Sequence, residues 1–108
     1  MTSEVRYAEL VRKLSSKSGV TQGSVGKGFG SSGQLKVGGR IFAMLVRGDL
    51  VLKLPRARVD QLVERGDGAR FDAGKGKPMR EWFVLSPTSS MRWPRLAQEA
   101  LDFVKETG

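Results

Sequence analysis

Residues 34–54 read QLKVGGRIFAMLVRGDLVLKL, and the fold turns on how this stretch pairs with itself. Leu35 and Val37 alternate with Gln34 and Lys36, which gives the apolar face and the wet face of a half-buried strand. Gly38-Gly39 then reverses the chain, because two glycines supply the positive φ of a tight hairpin whose twist suits right-handed strands. From Arg40 the sequence runs Ile41-Phe42-Ala43-Met44-Leu45-Val46 without a polar break. Such a run needs burial on both faces, so residues 40–46 are expected at the centre of a sheet. Gly48-Asp49 turns the chain again, and Leu50, Leu52 and Leu54 line one face of a third strand with Lys53 on the other. Pro55 closes it, having no N–H to give to a ladder.

Working outward, residues 4–16 show helical spacing, with Val5, Tyr7, Ala8, Leu10, Val11 and Leu14 on one stripe and Arg12 and Lys13 off it. Residues 18–33 are too rich in glycine for a regular element, and a loop is expected there. Residues 55–66 read as a helix begun by Pro55 and stopped by Gly66, with Val59, Leu62 and Val63 inward. A short strand at 69–72 with Phe71 inward, a loop at 74–78 and a strand at 80–85 follow. After a turn at 87–90, a last helix spans about residues 94–106, with Leu96, Ala100, Phe103 and Val104 on one face and Trp93 packed just before it. Together these predict one α+β domain over residues 1–108, an antiparallel sheet of about five strands packed with three helices in the order α-β-β-β-α-β-β-α.

A chain of 108 residues supports one core between a sheet and a few helices. No apolar run approaches the ~20 residues that span a bilayer, and MTSEVRYAEL carries no signal-peptide apolar region, so a cytoplasmic location without membrane contact is expected. In that setting Arg47-Gly48-Asp49, which spells an adhesion tripeptide, reads as a hairpin turn. The chain has no cysteine and no histidine, which removes disulfides, thiolate ligands, cysteine nucleophiles, and the commonest metal ligand and general base. No two carboxylates stand at a spacing that suggests an acid/base pair on one element. The expectation is a protein that is not an enzyme and uses neither metal nor cofactor.

Charge points elsewhere. Nineteen Lys and Arg against 11 Asp and Glu give +8 at pH 7, a balance that favours polyanions through counterion release. The cations concentrate on glycine loops. Gly28-Phe29-Gly30-Ser31-Ser32-Gly33 matches the letters of a dinucleotide fingerprint, yet a strand follows it where a helix should open. A phosphate loop of the nucleotide-hydrolase kind fails as well, since Gly28 follows Lys27 where a hydroxyl must meet magnesium. What remains is a Lys27-bearing loop with amides free to meet phosphate, or one that merely reaches the sheet. The second loop, Gly74-Lys75-Gly76-Lys77 with Arg80 beyond it, has no acidic residue between Asp72 and Glu81 and lies beside Trp82 and Phe83. It reads either as a basic wing along a nucleic-acid backbone or as a solvated hairpin loop. Lys36, Arg40 and Arg47 of the central hairpins are the helpers expected to join Lys27, Lys75, Lys77 and Arg80 on phosphates.

Three runs carry a resemblance: Gly28 to Gly33, then Val37-Gly38-Gly39-Arg40-Ile41-Phe42-Ala43, then Asp49-Leu50-Val51-Leu52-Lys53-Leu54. With Lys77-Pro78-Met79-Arg80-Glu81-Trp82 and the closing helix bearing Trp93 and Ala100, they resemble the TfoX N-terminal domain family (TfoX/Sxy) over residues 5–104. The related YjbR-like domains share the hydrophobic-x-Gly-Gly-basic-hydrophobic-Phe-Ala hairpin. The resemblance implies helices on an antiparallel sheet, a double-wing surface for DNA and a link to transcriptional control. This chain has Gly28-Phe29-Gly30-Ser31 where that family usually reads Met-Phe-Gly-Gly, and the shared motifs are structural rather than catalytic. Two functional readings follow: a nucleic-acid-associated protein that holds phosphate with weak, salt-sensitive affinity, or a protein-interaction module using a sheet edge or the Trp82/Trp93 region.

Overall fold

The computed structural model describes residues 3–17, 19–22, 34–46, 48–71, 79–86, 89 and 92–107. Helix α1 (Ser3–Leu14) opens the fold and is followed by strand β1 (Val20–Gln22) inside the stretch expected to be loop. Gly19, at φ 81°, turns the chain into it. Val20 and Thr21 are β-branched, and three residues suffice when a neighbouring strand supplies the ladder. Strands β2 (Leu35–Val37), β3 (Arg40–Val46) and β4 (Asp49–Lys53) form the expected meander, helix α2 (Arg56–Glu64) crosses over, β5 (Gly68–Phe71) and β6 (Met79–Leu85) complete the sheet, and α3 (Trp93–Thr107) ends the fold. The result is an α+β architecture with a six-stranded antiparallel sheet in the order β1-β2-β3-β4-β6-β5, one strand more than expected. Gly38 and Gly39, at φ 60° and 79°, make the left-handed pair of the β2–β3 turn. At the next hairpin Asp49 already pairs with Val46 as the first residue of β4, rather than sitting in the turn as expected.

Two rows of side chains face opposite ways across this sheet. Ala43, Leu52 and Phe83 stand in register across β3, β4 and β6 in the main core beneath the helices, and the next row, Met44, Val51 and Val84, faces away. Phe71 joins Met44 and Val51 in that second cluster, so it is buried as expected but on the far side of the sheet from the helices. Strict alternation would put Phe42 there too. Instead Leu35 pairs with Ala43 while Lys36 pairs with Ile41, which leaves Phe42 as the extra residue of a β-bulge. The bulge shifts the phase: Phe42 and Ala43 both enter the core, and Ile41 turns to the second face. Tyr7 of α1 is buried against this point, its hydroxyl donating to the Ala43 carbonyl at 3.4 Å.

The helix ends are closed by the residues that signalled them. Pro55 stands at the N-cap of α2 in an extended conformation, and its carbonyl accepts from the Val59 amide. At the other end Gly66, at φ 85°, donates to Val63 while the Asp67 amide donates to Leu62, the paired bonds of a Schellman stop. Asp67 is buried and ties α2 to the end of β6, its carbonyl accepting from the Ser86 amide and its carboxylate from the Ser89 hydroxyl. Arg58 of α2 grips Glu99 of α3 through two contacts of 2.9 and 3.1 Å, and Arg70 of β5 pairs with Asp60. Trp93 is buried in the core as expected, with the Arg6 guanidinium 4.2 Å above its ring.

Gly68 has a different reason to be glycine. A Cβ there would lie 2.0 Å from the Val84 carbonyl oxygen and 2.5 Å from Phe83 Cζ. Backbone cannot yield that much without separating β5 from β6, so Gly68→Ala is expected to cost about 1–3 kcal/mol. A melting temperature equal to the parent's would show that the strand pair has slack.

Candidate nucleic-acid interface

A cleft of about 600 Å³ opens at one end of the sheet. Its origin lies in the register. On that side the last β3–β4 pair is Ala43–Leu52; beyond it β4 continues along β6, with Lys53 opposite Trp82 and the Leu54 amide donating to the Glu81 carbonyl. Strand β3 bends away at the Phe42 bulge and leaves a gap at the sheet end. The gap is walled by Ile41, Lys53 and Trp82 on one side and by Phe103 and Val104 of α3 on the other, with Lys36, Gly39, Arg40 and Glu81 completing it.

Each cation has a structural reason to be there. Lys36 pairs with Thr21 and Ile41 on the second face of the sheet, and Arg40 leaves the Gly38-Gly39 turn exposed as the first residue of β3. Lys53, half-buried as the last residue of β4, holds its ammonium 5.5 Å from the centre of the Trp82 ring, within cation–π range. Among the described residues three cations thus face one carboxylate, Glu81, around a partly apolar floor. Ion pairs among the described residues engage Arg58, Arg65 and Arg70 and neither Lys36 nor Lys53, so the charge of these two lysines is not cancelled by contact with a described carboxylate.

Of the residues expected to hold phosphate, Lys36 and Arg40 come together at this cleft. Arg80 belongs to β6, two residues before Trp82; its side chain, and Lys27, Arg47, Lys75 and Lys77 entirely, lie outside the described residues. In the sequence Lys53 shows only as the wet side of a strand. Its neighbour Trp82 lies 29 positions away in sequence, and only the β4–β6 pairing brings them together. Among the described residues no three His, Cys, Asp or Glu side chains gather into a metal-holding group, and no helix is long and apolar enough to cross a membrane. No family model, curated protein or solved structure matches this chain.

Proposed function

We propose that this protein is a non-enzymatic nucleic-acid-associated domain, of the kind its resemblance to the TfoX N-terminal family implies, and that the sheet-end cleft is where it meets phosphate. The observation that carries this is the convergence of Lys36, Arg40 and Lys53 on one concavity in which Glu81 is the one carboxylate among the described residues. Cations fixed on strands lose less freedom on meeting an anion than cations on loose loops, and in a low-dielectric recess they attract it more strongly. Lys27, Arg47, Lys75, Lys77 and Arg80 are assigned further phosphate contacts on sequence alone. Phosphate contact carries no sequence information, so binding through it is weak and indifferent to sequence. The other reading, a protein-docking module, calls for an exposed apolar patch or an unpaired edge strand; among the described residues Val5 is the one large hydrophobic side chain exposed, and β1 and β5 are the outer strands of the sheet.

The test is a titration of labelled DNA at two salt concentrations. The three cleft contacts alone predict an affinity loss of roughly 20- to 40-fold between 50 and 200 mM salt, and each further contact steepens it. The Lys36→Ala/Arg40→Ala/Lys53→Ala variant should lose most of the low-salt affinity and much of that slope. Parental affinity and slope in a folded triple variant would place the phosphate site elsewhere.

A further inference from the structure

We infer that the cleft takes one unpaired nucleotide of a single strand, base inward and phosphate at the mouth; this rests on the phosphate reading above and adds the form of nucleic acid. The size suits it, since clefts of roughly 300–1,000 Å³ hold small organic groups. The chemistry is divided as a nucleotide is divided. Trp82, Phe103, Ile41 and Val104 offer aromatic and apolar surface, while Lys36 and Arg40 beside the Gly38-Gly39 turn offer charge. Every base has a π-face, so an aromatic wall accepts any of them, and stacking on one contributes about 1–3 kcal/mol per base. A duplex keeps its bases paired inside a convex cylinder, so it meets the cleft at its mouth, where Arg40 is exposed, and puts no base into it.

Lys53 supplies the moving part. Its ammonium stands over Trp82, held by the ring and by the β4–β6 register that makes the two residues cross-strand partners. Its flexible stem lets the ammonium move from the ring to a phosphate as a base takes the ring face. Cation and aromatic therefore exchange partners in one step, and Trp82, half-buried on the second face of the sheet, changes its environment when that happens. The other tryptophan is silent in this exchange, because Trp93 is buried in the core and already covered by Arg6.

The experiment uses the full chain with Trp93→Phe, which leaves Trp82 as the sole indole, and compares a 15-nucleotide oligothymidylate with a 15-base-pair duplex at low salt. The single strand is expected to quench Trp82 emission and to bind roughly tenfold tighter than the duplex. Trp82→Leu, which keeps apolar bulk against the second cluster, should lose about tenfold for the single strand and nothing for the duplex, and Trp82→Phe should recover part of the loss. Equal affinity for both forms, or an emission that stays unmoved while the strand binds, overturns the nucleotide pocket and leaves phosphate contact standing. Failure of both nucleic acids to bind overturns the phosphate reading itself.

Discussion

Replacing Phe83 by alanine is expected to remove about 3–5 kcal/mol of stability, the largest loss from any one side chain considered. Phe83 is fully buried in β6 with Leu52 opposite it on β4 and Arg70 opposite it on β5, so its ring reaches the main core from the strand that joins the meander to the edge. It also fills the space that Gly68 leaves, as the clash of a Cβ there with its ring shows. Truncation would open a cavity bounded by backbone on the β5 side and by Leu52 on the other, and strands held by a ladder collapse into such a space poorly. A domain of this size typically has only about 5–15 kcal/mol in all. The variant should therefore melt more than 10 °C below the parent, at roughly 4–8 °C per kcal/mol. Phe83→Leu, which keeps most of the volume, should recover more than half. A denaturant midpoint for the alanine variant within about 1 kcal/mol of the parent would mean that the core closes around the gap, and the burial argument for this strand would have to be abandoned.

The contrast between what could be read from the residues and what could not follows from range. The Gly38-Gly39 turn, the burial of β3, the stop at Gly66 and the helical face of α3 all depend on residues a few positions apart, and their periodicities are legible without knowing the fold. Val20 to Gln22 escaped because the surrounding glycines dominate a window average, while the strand exists only through its pairing with β2. The Phe42 bulge escaped for a related reason. Six apolar residues in a row look the same with or without a phase shift, and only Lys36 opposite Ile41 shows that the shift occurs. Much of the candidate site hangs on that hidden feature. Lys36 and Arg40 were visible as cations on a hairpin, but the cleft beside them is a product of β3 leaving β4, and Lys53 becomes part of it only through its cross-strand neighbour Trp82. Charge could be counted from composition; its convergence required the sheet order.

Tyr7 is the lock on this arrangement, and its titration gives the second expected result. Burial pushes its phenol well above the usual value near 10, and a backbone hydrogen bond from Leu35 pulls the other way without offsetting it. The same oxygen donates to the carbonyl of Ala43, the register partner of Leu35 at the bulge. Because the folded state keeps the proton past the pH at which the unfolded phenol gives it up, the contribution is complete below pH 10 and declines as pH rises further. The unfolded chain then binds fewer protons than the folded one, so stability falls by up to about 1.4 kcal/mol for each pH unit. A comparison with Tyr7→Phe isolates the phenol because the two proteins share every other titratable group. At pH 8 the phenylalanine variant should be weaker by about 1 kcal/mol, the worth of one buried hydrogen bond. Between pH 10 and 11.5 the two denaturation midpoints should converge and then cross, since only the parent must hold a phenol out of water. Curves that stay parallel through that interval would show that Tyr7 ionises as freely in the fold as outside it, and the bulge would then need some other anchor.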